Sequence, residues 1–248
     1  PPQPAWRPDS DGPHVRWGVL WFGMVVAAGG WSMMLLAAAM AVTAASPVHA
    51  LVATDPTVTR RFAVTAAAVV PLAALDGAGS MTVVVPLMVI TAMALLLTDP
   101  SASIDSLSRA SAYSLLIGGA AAAPVVAADV GLGASLGLVA LVAAHDTGNY
   151  LIGTGARAWW EGPVAGAICV AVAGFALGSF NVLGVGAAST GVVAATVALA
   201  APVGGPLARL LLAGAATKPR GLAAACIGRL DALLVAGPLG AAVVLAVA

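Results

Sequence analysis

The first half of the sequence contains a long run without a charged side chain. From Trp17 to Ala53, 37 residues pass without Asp, Glu, Lys or Arg. A single helix of that length would measure about 55 Å, nearly twice the ~30 Å hydrocarbon core of a bilayer. The pair Gly29-Gly30 lies inside the run and favours a turn. We therefore expect two short membrane helices here, and one long tilted helix is the alternative.

The composition extends this conclusion to the whole chain. Of 248 residues, 61% are hydrophobic and only 8% are charged, whereas a soluble domain carries about 25% charged residues. Such a chain cannot cover a water-facing surface, so we expect an integral membrane protein. Ten basic and ten acidic side chains cancel, which argues against a nucleic-acid partner. Cys169 and Cys226 lie in apolar surroundings without metal-ligand spacing, so we expect small core residues.

Apolar segments separated by short polar or glycine-rich turns continue to the C-terminus. The pattern predicts an all-α, polytopic integral membrane bundle of eight or nine transmembrane helices, with 182–203 and 206–216 as separate segments. Residues 1–15 hold five prolines and no apolar periodicity, so a disordered N-terminal tail is expected before a single domain over 16–248. Two crossings in the first run would put Arg16 and Arg60-Arg61 on one side, which the positive-inside rule makes cytoplasmic.

One polar stretch interrupts the apolar pattern in mid-chain, from His145-Asp146 to Tyr150. An aspartate at the centre of a membrane helix costs roughly 2.5–3.5 kcal/mol on insertion scales, so it usually faces a protein interior or a wet cavity. Asp146 is therefore the first candidate for chemistry, and a helix cap at the water interface is the alternative. We expect His145 to serve in helix packing or at the interface rather than as a ligand.

A second polar group, Trp159-Trp160-Glu161, follows shortly after it. The two tryptophans are expected to be interfacial anchors. Glu161 has two interpretations. It begins the next helix, since a negative charge suits a helix N-terminus, or it touches a substrate.

Two windows of the sequence resemble one enzyme family when they are taken together. Asp146-Thr147-Gly148-Asn149-Tyr150-Leu151-Ile152-Gly153, with Trp160-Glu161-Gly162 after it, is similar to an Asp-x-(Gly/Ala)-Ala-Tyr-x-x-Gly motif and a later Thr-Trp-Glu-Gly. Ile227-Gly228-Arg229-Leu230-Asp231 is similar to the end of a signature that closes on Asp-Arg-x-Asp-Ser-Leu. The order and separation of both windows resemble the CDP-diacylglycerol synthases, or phosphatidate cytidylyltransferases.

The resemblance implies a helical membrane domain in which the phosphate of phosphatidate attacks the α-phosphorus of CTP. Pyrophosphate leaves and CDP-diacylglycerol, a precursor in phospholipid biosynthesis, is formed. Such catalysis is chiefly positioning and charge neutralisation, and it implies Mg²⁺, which prefers carboxylate and water oxygens. The implied partners are CTP, phosphatidate and membrane lipid, with no nucleic acid, and a homodimer is allowed. The polar site is expected to face the cytoplasm.

The residues that match the two motifs carry the implied roles. Asp146, Arg229 and Asp231 are the expected catalytic residues, and Asp146 and Asp231 are the expected Mg²⁺ ligands. The expected substrate-binding residues are Tyr150, Arg157, Arg209 and Lys218.

The sequence also departs from the family pattern. The family's Lys-Asp pair aligns with Gly214-Ala215, its Pro-Gly-His-Gly-Gly with 221–225, and the first Asp of Asp-Arg-x-Asp with Gly228. Asp231 alone remains of the three acidic metal ligands expected in this region. These departures support a second hypothesis, a catalytically degenerate relative that acts as a membrane scaffold or lipid-binding partner. A transporter, in which broken helices present polar residues near the midplane, is a third.

Overall fold

The computed structural model describes residues 21–154, 156–213 and 222–248, except for the side chains of residues 222, 224, 225 and 229. All regular structure in these ranges is helical. The predictions for residues 1–15, Arg16 and Lys218 lie outside the described residues. The helices are α1 (Trp21–Trp31), α2 (Met33–Leu51), α3 (Thr57–Ala73), α4 (Met81–Thr98), α5 (Ile104–Ala127), α6 (Leu132–Gly153), α7 (Glu161–Ser179), α8 (Ala187–Ala213) and α9 (Leu222–Val247).

Seven of these helices contain a segment long and apolar enough to cross a bilayer, namely α2, α3, α4, α5, α7, α8 and α9. The protein is therefore an all-helical, membrane-embedded bundle, as the composition predicts. Helix α6 is as long as its neighbours, but the polar stretch from His145 to Tyr150 lowers its apolar content.

The first apolar run forms two helices rather than one. The break falls at Ser32, two residues beyond Gly30, where the Ser32 hydroxyl accepts a hydrogen bond from the Leu35 amide at 3.1 Å. Helix α1 folds back along α2, because Trp21 Nε1 donates to Thr43 Oγ1 at 3.1 Å. The expected break into two helices is confirmed, and the single long helix is wrong; within the described residues, α2 is long enough to cross a bilayer and α1 is a shorter apolar helix.

Helix α8 corrects the prediction of two segments over 182–203 and 206–216. It runs without interruption through Pro202 and Pro206. Proline and glycine usually end a helix, but a membrane helix tolerates them where neighbouring helices compensate for the lost backbone hydrogen bonds. Here α9 lies directly against the proline-containing segment, with the Asp231 backbone in contact with Gly204.

Contacts between consecutive helices define the direction of each one. Glycines on one helix meet the next helix in antiparallel order along α6–α7, α7–α8 and α8–α9. Helices α3 and α5 run parallel, since the Ser114 hydroxyl donates to the Ala63 carbonyl at 2.8 Å and Gly118 lies against Val70. Helices α3, α5, α7 and α9 therefore begin at the same end of the bundle, where α2, α4, α6 and α8 finish.

The two ends differ in charge. We call the end where α3, α5, α7 and α9 begin the basic end, because all arginines with a described side chain lie toward it. They are Arg60, Arg61, Arg109, Arg157 and Arg209. The far end holds the turns α3–α4, α5–α6 and α7–α8. Its charged residues are Asp76 and Asp129, and the described chain places no Lys or Arg there.

Candidate functional site

Asp146 lies inside α6 rather than at its end. The helix continues for seven residues to Gly153, which places the carboxylate about 10 Å inside the basic end. The side chain is 17% exposed. The helix-cap alternative is therefore wrong, and Asp146 is a partly buried acid within a helical bundle. Tyr150, half-buried, follows one turn later on the same face of α6.

His145 is buried beside Asp146, with 2% of its side chain exposed. Its Nδ1 atom lies 3.7 Å from Asp146 Oδ1, and neither ring nitrogen has a hydrogen-bond partner among the described residues. The ring packs against Gly166 of α7, where an added Cβ would lie 2.7 Å from His145 Cδ2. His145 thus belongs to the α6–α7 packing interface, in line with the expected packing role.

Glycines bring α6 and α7 into backbone contact around this residue pair. A Cβ at Gly148 would lie 2.7 Å from the Ala165 carbonyl oxygen and 2.7 Å from Cys169 Sγ. Gly162 meets Asn149 in the same way one turn nearer the basic end. Membrane helices use small residues for such close approach. Asp146 therefore projects from a helix whose position is tightly fixed.

Asp231, the second expected acid, lies on α9 and is half-buried. Its backbone carbonyl is in contact with Gly204 of α8, and its Oδ1 atom accepts a hydrogen bond from the Ala232 amide at 2.7 Å. Arg209 lies on α8 five residues beyond Gly204, about 7.5 Å nearer the basic end, and is exposed.

The two acids lie at the same depth in the bundle. Helices α6 and α9 run antiparallel and meet where Leu138 packs against Gly240. On α6, Asp146 follows Leu138 by eight residues. On α9, Asp231 precedes Gly240 by nine residues. At 1.5 Å per residue, the two lie about 12 and 13.5 Å along their helices from that contact, both toward the basic end. Sequence motifs 85 residues apart thus reach one level of the fold.

The remaining residues singled out in the sequence lie at or toward the basic end where they are described. Arg157 is exposed in the α6–α7 connection. Arg229 lies on α9 two residues before Asp231, and its side chain is outside the described atoms, as is Lys218. Trp159 and Trp160 are 89% and 52% exposed, as expected of interfacial anchors.

Glu161 has a structural role in the start of α7. Its carboxylate accepts hydrogen bonds from the Arg157 amide at 3.3 Å and the Ala158 amide at 3.0 Å. Of the two interpretations, the helix start is supported, because the two carboxylate oxygens are each engaged by backbone.

The donor set available for Mg²⁺ is small. Within the described ranges, no three or more His, Cys, Asp or Glu side chains are grouped closely enough to hold a metal ion. Proteins usually bind Mg²⁺ through one or two carboxylates, with water and substrate phosphates completing the octahedron. Asp146 and Asp231 are two carboxylates at one depth in the bundle, the number of protein ligands that such a site uses, whereas a cage made of protein ligands alone is not present in the described part.

Sequence reasoning missed an ion pair at the basic end. Arg109 Nη2 lies 2.7 Å from Asp55 Oδ1, and its Nη1 lies 3.2 Å from Asp105 Oδ2. The Asp55 side chain is only 10% exposed. The spacing of Asp105 and Arg109, four residues on one helix, was a usable signal. No local sequence pattern predicts the pairing of Arg109 with Asp55, which lies 54 residues away. This pair joins the α2–α3 turn to α5.

Two ionisable groups in the described part of the basic end have shifted pKa values, and both lie outside the apolar spans, because Asp99 follows Thr98 and Cys226 precedes Leu230. Hydrogen bonds from the Ser101 hydroxyl and amide hold the pKa of the Asp99 carboxyl below its ordinary value. Burial raises the pKa of the Cys226 thiol to about 11, because a thiolate loses its hydration there. Cys226 is buried, as predicted, and Cys169 is half-buried.

No protein-family model, curated protein or solved structure matches the chain. The structure by itself defines the class: a polytopic helical membrane protein with two partly buried acids at one depth, in the half of the bundle nearer its arginines.

Proposed function

We propose that this protein is a divergent phosphatidate cytidylyltransferase. The reaction joins the phosphate of phosphatidate to the α-phosphorus of CTP and breaks the bond to pyrophosphate. The observation that carries the proposal is the common depth of Asp146 and Asp231, because these acids come from the two separate windows that resemble the family. Both lie in membrane-length helices, where an acid without function is costly.

The roles follow from the charges of the groups. Mg²⁺, when bound, would neutralise phosphate charge and align the reacting oxygen with phosphorus. Asp146 and Asp231 would supply its protein ligands. Arg209 and Arg229 would neutralise the phosphates, and Arg157 and Lys218 would help to place the triphosphate. Tyr150, one turn from Asp146, would hydrogen-bond a substrate or orient the acid.

We further propose eight membrane crossings, by α2 to α9, with the basic end in the cytoplasm. Helix α6 links the far end, where α5 finishes, to the basic end, where α7 starts, so it must cross if its neighbours do. The concentration of described arginines at one end supports the orientation through the positive-inside rule. CTP, a cytoplasmic nucleotide, would then meet the site from the side with the complementary charge.

A degenerate scaffold or lipid-binding relative remains the second candidate. The observation in its favour is the lack of a group of three potential metal ligands among the described residues, together with the loss of the Lys-Asp pair at Gly214-Ala215. A scaffold would keep the helix packing without nucleotide chemistry.

The test is incubation of the purified protein with labelled CTP, phosphatidate and Mg²⁺, scored for a lipid-linked nucleotide. We expect product from the wild type and none from Asp231→Asn, with Asp129→Asn at the far end as the matched control that keeps full turnover. Absence of product from the wild type would overturn the catalytic proposal. CTP binding measured without lipid would then distinguish an inactive nucleotide-binding protein from a scaffold.

A further inference from the structure

A buried imidazole, that of His145, lies beside the proposed catalytic acid Asp146. His145 is 2% exposed, and both of its ring nitrogens lack a hydrogen-bond partner in the described structure. Buried polar atoms in native proteins nearly always have a partner. Packing alone does not require a histidine at this position. An apolar side chain of similar size would fill the same space and would leave no buried polar atom without a hydrogen-bond partner.

Among the described residues, Asp146 supplies the acidic group within 4 Å of the His145 ring. On α7 the ring meets Gly166, which has no side chain, and the Cys169 thiol contacts Gly148 one turn further along α6. The Asp146 carboxylate lies 3.7 Å from Nδ1. A hydrogen bond between nitrogen and oxygen spans 2.7–3.2 Å, so a rotation of the Asp146 side chain that brings Oδ1 about 0.7 Å closer to Nδ1 would form one.

We propose that His145 is a positioning residue for Asp146. Its Nδ1–H donates to the Asp146 carboxylate and fixes the direction of the second carboxylate oxygen. The close contact with Gly166 holds the ring, and the ring holds the acid. Hydrogen bonds of this kind to a ligating or catalytic group typically change metal affinity or activity 10–100-fold when they are removed. The effect on catalysis rests on the proposed function, whereas the contact itself does not.

Two substitutions separate positioning from packing. Asparagine is smaller than histidine but places an amide N–H near the position of Nδ1. Leucine fills most of the volume but has no donor. If His145 positions Asp146, His145→Asn retains function and His145→Leu loses it. If His145 only fills space, the order reverses, because His145→Asn leaves a cavity.

In the cytidylyltransferase assay we expect His145→Leu to lower kcat and to raise the Mg²⁺ concentration for half-maximal rate by tenfold or more. His145→Asn should stay within a few-fold of wild type. A wild-type rate in His145→Leu, or a lower rate in His145→Asn than in His145→Leu, would overturn the positioning role and leave the proposed function intact.

A measurement independent of activity completes the test. Solid-state NMR on protein in bilayers, labelled with ¹³C in aspartate carboxyls and ¹⁵N in histidine, reports the Asp146–His145 distance directly. The Asp146 signal is identified among nine aspartates by its loss in Asp146→Asn. We expect a dipolar coupling between Asp146 Cγ and His145 Nδ1 and a displaced Asp146 signal in His145→Leu but not in His145→Asn. If this holds in an inactive wild type, the positioning contact stands and the proposed function fails. No coupling would overturn the inference.

Discussion

Helices α4 and α6 show opposite relations between composition and position. Helix α4 is the most apolar of the candidate spans, yet only Val84 and Met88 are buried in it. Helix α6 does not qualify as a candidate span, yet it buries nine residues, including His145 and Gly148. A search for the most hydrophobic segment would find α4 first and would pass over the helix that carries the candidate site.

The difference follows from the solvent. Lipid tails are as apolar as leucine, so in a bilayer apolar side chains gain little by turning inward. Apolarity then marks contact with lipid, whereas glycine, alanine and hydrogen-bonding residues mark contact with other helices. Helix α5 fits the same rule, since alanine, serine and glycine make up nine of its fifteen buried residues. The site is therefore expected on helices of intermediate apolarity.

The largest expected difference between α4 and α6 is in the unfolding free energy that is lost when a large apolar side chain is removed. Leu138 of α6 is fully buried against Gly240, and Ile90 of α4 is 62% exposed. Leu138→Ala should lower the free energy of unfolding by about 3 kcal/mol, because it leaves a cavity. Ile90→Ala should cost less than about 1 kcal/mol, since lipid fills the space. Unfolding in micelles of rising dodecyl sulfate content measures both, and equal losses would refute the contrast.

The second prediction compares thiols at the basic end. With its pKa raised to about 11, Cys226 is almost wholly neutral at pH 8, when about one thiol in a thousand is ionised. Since the thiolate is the nucleophile, alkylation should be about 100-fold slower than for an ordinary thiol of pKa near 8.5–9. The rate should rise about tenfold per pH unit until pH 11.

The matched control places a thiol at the end of α4. The exposed Thr98→Cys, made in a background of Cys169→Ala and Cys226→Ala, should react at the ordinary rate and level off near pH 9. Cys169→Ala alone leaves Cys226 as the single thiol. Similar rates for the two thiols at pH 8 would mean that Cys226 is not buried as described.

The third prediction tests the close contact that sets α6 against α7. Gly148→Ala places a methyl group 2.7 Å from the Ala165 carbonyl oxygen, so the helices must separate. We expect Gly148→Ala to lower the free energy of unfolding by about 2 kcal/mol. We also expect it to lower the proposed cytidylyltransferase activity, because the separation of the helices displaces Asp146. Gly153→Ala, on the same helix but with its nearest neighbour at an ordinary 3.5 Å, should be neutral or slightly stabilising. The same unfolding assay decides, and a harmless Gly148→Ala would argue against the contact.

The sequence predicts the class of fold because its determinants are local. Uncharged runs of membrane length identify the helices, and Gly29-Gly30 indicates a break two residues before Ser32. The prediction from sequence is wrong for α8, where Pro202, Gly204 and Pro206 suggest that a helix ends. Whether a membrane helix continues through such residues depends on the helix that packs against them. Here that helix is α9, and the local sequence of α8 does not predict this contact.

The features of the candidate site also fall into two groups, those that the local sequence predicts and those that depend on contacts between distant segments. Asp146 and Tyr150 are four residues apart on one helix, so local geometry alone places them on one face. The common depth of Asp146 and Asp231 depends on the Leu138–Gly240 contact, which no local pattern gives. The isolation of the His145 ring nitrogens depends on Gly166 across the interface. Long-range pairs such as Asp55 with Arg109 are inaccessible for the same reason.

The smallest predicted effect concerns hydroxyl groups, and it extends the contrast from volume to hydrogen bonding. On α4, the exposed Thr91 hydroxyl donates to Leu87 of its own helix at 2.8 Å. On α5, the buried Ser114 hydroxyl also reaches the Ala63 carbonyl of α3 at 2.8 Å. Hydrogen bonds between membrane helices contribute about 0.6 kcal/mol on average and at most about 1.7. Ser114→Ala should therefore cost about 1 kcal/mol of unfolding free energy, and Thr91→Val close to none. If Thr91→Val cost as much, α4 would have to contact another protein surface through this face, and its exposure to lipid would be wrong.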